Sequence, residues 1–383
     1  MGSVGSKGGK AAGAAAARRA FLVRLPAAAA LGAAGSALAQ AGPARYPTHY
    51  PAMVAAAARE GVVVVDGATD LAVAGALIED FHRLYPNVAV DYRESTSAEI
   101  HGRFLNQRPG DADRADVLWS SAMDLQVKLV NDGHAQRYAS PEAPLLPPWA
   151  VWKDEAYGTT VEPVGFAYSR RHLAPHEVPA TRRDFVRLIE SDPERFRDRV
   201  ITYDLEASGL GFLFATQDAR TSELLWEVAR ALGGARAKEA PTSAAMLQSL
   251  AAGDSILAYN VLGTYAQARR GDNAAVGFVR PRDYTLVGSR IAFIAKGTAH
   301  PNAARLWLDH LLSRRGQTVL ARRSGLLPIR GDVEPEPGAA SSPRPDAGAT
   351  LKPIAIGPSL MTYLDRSKRQ AFLRQWKQAL GRP

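Results

Sequence analysis

The sequence predicts an α/β protein built on open, largely parallel sheets. Three observations carry that expectation. An unbroken β-branched run, Val62-Val63-Val64-Val65, suits a strand buried on both faces. A polar loop and a helical apolar repeat follow it, and a second strand-like segment completes a βαβ unit. The same order of strand, small polar loop and helix then returns three more times along the chain.

Taken in order, residues 40–52 are Pro-rich and read as an extended lead-in. After the first strand, Asp66-Gly67-Ala68-Thr69-Asp70 form a loop. Between 71 and 85, Leu77, Ile78, Phe81 and Leu84 recur at helical spacing, and Pro86-Asn87 stop the helix before a strand over 88–92. The second copy is a strand over 116–119, the loop Ser120-Ser121, and a helix over 123–132 ending at Gly133. The third is a strand over 200–203, a loop over 204–208 and a helix over 209–218. The fourth is a strand over 255–259 followed by a helix over 260–269. Residues 335–349 have no apolar periodicity and read as a solvated loop. Leu360, Tyr363, Leu364, Phe372 and Trp376 then outline an amphipathic helical end docked on the body.

The amino terminus reads as an export signal. Arg18-Arg19-Ala20-Phe21-Leu22 supply a basic start, an apolar stretch follows, and Ala37-Leu38-Ala39 make a small-x-small cleavage site. The paired arginines resemble a twin-arginine leader. The Ala-rich core is too weakly apolar to anchor the chain, and no Cys is present to carry a lipid. Cleavage after residue 39 therefore predicts a soluble periplasmic chain of 344 residues, enough for two domains. Of the whole-chain charge of +9, five units belong to Lys7, Lys10, Arg18, Arg19 and Arg24, which leaves +4. That balance argues against nucleic-acid binding and is compatible with attraction of a small anion. The lack of Cys excludes disulfides, a thiol nucleophile and a zinc-thiolate site together.

Open α/β sheets bind ligands outside the carboxyl ends of their strands. Any one of the four polar loops is explained by turn and cap chemistry, but the set points to one composite site fed by two sheets. Catalytic motifs are missing. His176-Glu177 lacks the second His of a zinc-protease helix, and Gly209-x-Gly211 runs into Phe214 where a dinucleotide fingerprint needs Gly. No Gly-x-Ser-x-Gly elbow or phosphate-loop Gly-Lys-Ser/Thr occurs. The expectation is a binding protein without cofactor rather than an enzyme.

Several stretches resemble the extracellular solute-binding proteins of ABC transporters. They are Gly67-Ala68-Thr69-Asp70-Leu71 with Ile78-Glu79-Asp80-Phe81, the stretch from Ala115 to Leu125, and Ile294-Ala295-Lys296-Gly297-Thr298-Ala299-His300-Pro301-Asn302. Trp307-Leu308-Asp309-His310-Leu311-Leu312 and Gly325-Leu326-Leu327-Pro328-Ile329-Arg330 extend the likeness, which covers roughly 45–330. The branch most similar holds binders of ferric iron, thiamine, phosphoglycerate and hexose phosphates. The resemblance implies a two-lobe type 2 periplasmic-binding fold, each lobe a mixed sheet flanked by helices, joined by two crossing hinge strands. The crossings fall at 161–168 and 285–293, so lobe one is 44–163 plus 286–383 and lobe two is 164–285.

What the resemblance implies about function is a monomeric binder that closes on its ligand and delivers it to an inner-membrane ABC permease. A second role stays open, a periplasmic sensor reporting to a membrane histidine kinase. For an anionic ligand such as a phosphorylated sugar or a phosphoglycerate-like compound, helix starts and hydroxyls supply donors. Those are Thr69, Thr96, Ser120, Ser121, Ser208 and Gly209, while Asp70, Glu162, Asp204 and Asn260 would meet ligand hydroxyls beside Tyr259. Ferric iron is the alternative, with Tyr203 and Tyr259 as its ligands, although Asn260 stands where iron binders of this branch commonly have a second tyrosine. Arg290 on the return strand is read either as a partner for an acidic ligand or as an ion pair with Glu162.

Overall fold

The computed structural model describes residues 47–111, 113–268, 275–334 and 350–382. The expected export signal and the loop over 335–349 lie outside them. The described strands are β1 (Val62–Gly67), β2 (Ala89–Glu94), β3 (Val117–Ser120), β4 (Val151–Trp152), β5 (Ala156–Gly158), β6 (Glu162–Ser169), β7 (Val200–Tyr203), β8 (Lys238–Ala240), β9 (Leu257–Leu262), β10 (Val276–Val279), β11 (Thr285–Gly288), β12 (Ile291–Ile294) and β13 (Leu351–Pro353).

Two mixed sheets result. The first has the order β2-β1-β3-β12-β5-β4, with β1 parallel to β2 and β3 and with β12 antiparallel to β3 and β5. The second has the order β13-β11-β6-β9-β7-β8, and β10 pairs with β6 beside that path. There β7 is parallel to β8 and β9, while β6 runs antiparallel to β9 and β11. The valine run explains why β1 is an interior strand of the first sheet. Val63 and Val65 enter one apolar core and Val64 the other, because successive side chains leave a strand on opposite faces. All three are at most 4% exposed, and each buried valine contributes roughly 1.5–3 kcal/mol.

The chain leaves the first sheet after β5 and enters the second at β6, through Thr159-Thr160-Val161. It returns from β11 to β12 through Ser289-Arg290. The two crossings lie side by side. The Thr159 N–H donates to the Arg290 carbonyl (2.9 Å), and the Arg290 N–H donates to Thr160 Oγ1 (2.9 Å). These are the two hinge strands of the expected fold.

The structure departs from the sequence reading in three places. Tyr50–Glu60 is a helix, with Pro51 in its first turn, where an extended lead-in was expected over 40–52. The fourth strand runs on to Leu262 and its helix starts at Gly263, so Asn260 is a strand residue and not a helix start. Asn260 tolerates this because it adopts a left-handed backbone (φ 61°), which asparagine accepts more readily than most residues.

The third departure concerns the carboxyl terminus, expected with lobe one. Instead β13 pairs with β11 of the second sheet, and Phe372 packs on Phe212 and Trp226, with ring centroids 5.5 Å apart in each pair. Gly233 has no room for a side chain because Leu380 lies against it. The stretch from Ile356 to Tyr363 does reach the first sheet's side: the Ile356 N–H donates to the Trp149 carbonyl (2.9 Å), and Pro358–Tyr363 packs on the helix Met123–Asn131. The apolar stripe read from the sequence is real, but which lobe it covers depends on the partner strand it finds.

Candidate ligand-binding site

Residues from both sheets converge on the crossing strands. β1 ends at Gly67, where a Cβ would stand 2.0 Å from the Tyr92 hydroxyl, so only glycine lets the Tyr92 ring lie across the strand end. That hydroxyl donates to the Thr69 carbonyl (2.5 Å) and fixes the loop after β1. Thr69 Oγ1 accepts in turn from Arg290 Nη1 (3.0 Å). Arg290 Nε lies 2.8 Å from Glu162 Oε1, and the same carboxylate oxygen accepts from Thr160 Oγ1 (2.9 Å). Tyr265, which follows β9, lies beside Arg290 on the second sheet's side and favours its charge. Arg290 thus contacts the loop after β1 and a crossing strand, next to the segment after β9.

Burial disfavours the Arg290 charge, but the Glu162 carboxylate beside it outweighs that penalty and raises the guanidinium pKa. Arg290 and Glu162 are 3% and 2% exposed. Truncating either one would leave an uncompensated buried charge.

The other sequence candidates separate into three groups. Ser120 joins the first sheet's loops, its Oγ donating to Ser97 Oγ (2.8 Å) and accepting from the Ala122 N–H (3.2 Å). Ser121 is half-buried beside it. Several candidates instead serve local structure. Thr96 caps the helix Ser97–Asn106 through a capping box with Glu99, and Ser208 caps Gly209–Thr221 by accepting from the Gly211 N–H (3.1 Å). Gly209 opens that second helix, and Asp70, exposed, precedes the helix Leu71–Leu84 without a side-chain cap bond. Asp204 Oδ1 accepts from the Glu206 and Ala207 N–H groups (2.8 and 3.0 Å). Asp204 also lines a cavity of about 270 Å³ with Trp376, Lys377 and Arg382 under the carboxyl-terminal helix.

The third group, Tyr259 and Asn260, is taken up elsewhere. Tyr259 Oη accepts from Arg182 Nε (3.0 Å) and donates to Asp218 Oδ2 (3.0 Å). Asn260 Nδ2 donates to the same Asp218 oxygen (2.7 Å). Arg182 pairs with Asp218 at 3.0 Å and with Asp283 at 3.2 Å, which completes a buried network in the second sheet's core. The Tyr259 ring stacks on Phe166 and meets Phe185 edge-on. These two side chains are held in that network rather than at Arg290. Tyr203 is separate again, its hydroxyl sharing a 2.5 Å bond with Ser243 Oγ, which also accepts from the Leu262 N–H (3.0 Å). Burial keeps both phenols protonated, with pKa values above that of free tyrosine. Among the described residues no group of three or more His, Asp or Glu side chains is placed to hold a metal ion.

Sequence reasoning overlooked Tyr92, Ser243, Thr264 and the role of Tyr265. Tyr92 pairs in register with Val65, two residues before the loop, so parallel pairing of the first two strands is the signal that places it there. Thr264 follows β9 at 3% exposure and, among the described residues, has no hydrogen-bond partner for Oγ1. No sequence signal marks it.

Comparison with known proteins agrees with the fold. The model of a family described as bacterial extracellular solute-binding protein matches residues 76–345. A substrate-binding protein of an ABC transporter from Agrobacterium tumefaciens is 38% identical, with a TM-score of 0.74 over 83% of this chain and 94% of that one. Iron-bound HitA from Pseudomonas aeruginosa has a TM-score of 0.61 at 15% identity, covering 83% of this chain and 99% of its own. AfuA from Actinobacillus pleuropneumoniae, with fructose-6-phosphate bound, has a TM-score of 0.64 at 15% identity, covering 84% and 99%. At such identities the last two show the fold alone. No curated protein sequence matches the chain. Among the described residues no helix is long and apolar enough to cross a membrane. With its two mixed sheets, paired crossing strands and family match, the chain belongs to the bacterial extracellular solute-binding proteins and is the solute-binding component of an ABC transporter.

Proposed function

We propose that this protein closes around a small anionic organic ligand, a phosphorylated sugar or a phosphoglycerate-like compound, and presents it to an inner-membrane permease. In this reading residues 1–39 direct export to the periplasm and are removed there, and the protein catalyses no reaction. The observation that carries the ligand class is the ring of donors around the crossing strands. Arg290 bonds to Thr69 on one sheet's side and lies beside Tyr265 on the other's, and the Ser97–Ser120 pair lies on the first sheet's loops. Contacts made by both lobes only when closed are what drive a hinge to close. Ferric iron finds less support, because Tyr203 and Tyr259 are committed to Ser243 and to the Arg182–Asp218 pair.

Native mass spectrometry of protein purified from the periplasm without refolding tests the reading. A retained mass equal to a phosphorylated sugar or phosphoglycerate supports it. An iron-sized increment with a visible charge-transfer band overturns it.

A further inference from the structure

Besides the two crossings, the segment over 354–363 also touches both lobes. Both of its ends are fixed on the second sheet's side. The Ile354 N–H donates to the Val287 carbonyl of β11 (2.9 Å), and the helix Arg366–Ala379 that follows is held by Phe372 on Phe212 and Trp226. Its middle rests on the first sheet's side. The Ile356 N–H donates to the Trp149 carbonyl (2.9 Å), and Ile356 Cδ1 lies 3.3 Å from where a Cβ on Gly158 of β5 would stand. Pro358–Tyr363 then packs on the helix Met123–Asn131, which Gln126 Nε2 ties to the Ile291 carbonyl of β12 (2.9 Å). Whatever presses on that helix presses on the first sheet. Ile354, Ile356 and Leu360 are at most 5% exposed, so this is a packed contact and not a solvated loop.

A rotation about the crossings cannot leave a segment bound to both lobes undisturbed. The ends are held by a strand pairing and by aromatic packing, so the contact with the first lobe is the one that must give. Packed interfaces move between discrete arrangements and do not stretch. We propose that residues 354–363 form a strap, anchored at both ends on the second lobe, whose grip on the first lobe sets the resting arrangement of the hinge. Closure on a ligand then works with or against the strap as well as the cleft. Affinity depends in this way on residues that no ligand touches, because a contact made in one lobe arrangement only shifts the balance between the two. The proposal does not depend on the class of ligand.

The test reads the lobe arrangement directly. The chain has no cysteine, so His82→Cys and Glu190→Cys, both exposed, place one spin label on each lobe of the otherwise native protein for pulsed electron resonance distance measurement. Leu360→Ala removes a buried contact of the strap and Met361→Ala a half-buried one, and the second is read if the first does not unfold cooperatively. Either should change the ratio of lobe arrangements about tenfold, seen as a shifted or second distance. Leu306→Ala, a truncation in the other apolar core, should keep the wild-type distances. Wild-type distances in the strap variants overturn the proposal. An equal change in Leu306→Ala also overturns it, since general loosening and not release of the strap would then move the lobes.

Discussion

Replacing Asp309 with Asn should remove a pH dependence of stability that the structure places on a single carboxyl group. Asp309 is fully buried on the helix Pro301–Leu312, where it accepts from Tyr138 Oη (2.7 Å) and Ser140 Oγ (2.6 Å). Tyr50 also bonds to it, and the nearby Glu142 opposes its ionisation. Burial outweighs the hydrogen bonds and pushes the Asp309 pKa up to about 7 from an ordinary 3.8. The folded state therefore holds this proton more tightly than the unfolded state. For this group stability is greatest below about pH 3.8 and is lost as pH rises, until both states are ionised above about pH 7. At about 1.36 kcal/mol per pH unit, that interval is worth roughly 4 kcal/mol.

Asp309→Asn carries no such ionisation. Urea unfolding followed by tryptophan fluorescence at several pH values gives the difference in stability between variant and wild type. Taking the difference removes the contribution of every other titrating group. It should move in favour of the variant by roughly 4 kcal/mol between about pH 4 and pH 8. A difference constant to within about 1 kcal/mol across that range would refute the reasoning, since Asp309 would then ionise alike in both states.

Two further outcomes are expected. Gly211→Ala sets a Cβ 2.3 Å from the Tyr203 Cβ, between a helix start and a strand end that cannot easily separate, so thermal unfolding should show a loss of about 1–3 kcal/mol. An unchanged Tm would mean that the helix Gly209–Thr221 shifts freely. Thr264→Val replaces a buried hydroxyl, unpartnered among the described residues, with a methyl group, and should raise the stability of the ligand-free protein by about 1 kcal/mol. A lowered Tm would show that this hydroxyl is bonded after all.

Much of the framework was legible because it rests on short-range patterns. Val62 to Val65 announce a strand with two buried faces, and Leu77, Phe81 and Leu84 announce the helix beside it, each within a few residues of its neighbours. The ligand candidates were less legible, because a polar residue near a strand end reads the same whether it caps a helix, closes a core network or faces a cleft. Thr96 and Ser208 proved to be caps, and Tyr259 and Asn260 proved to belong to Asp218, a residue some forty positions earlier in the chain.

Local spacing and residue chemistry were enough to suggest the α/β class and the resemblance to solute-binding proteins, which in turn implied the crossing strands, since each is carried by neighbouring residues that share one element. Which groups meet at the crossings was decided in three dimensions. Arg290 and Thr69 stand 221 residues apart, and nothing in either local sequence states that a guanidinium from the return strand will take the hydroxyl after β1. The carboxyl-terminal helix shows the same division, with an apolar stripe that demands burial and a lobe chosen only when β13 pairs with β11. Burial is a property of a side chain, whereas the choice of partner belongs to the packing that brings distant segments to one place.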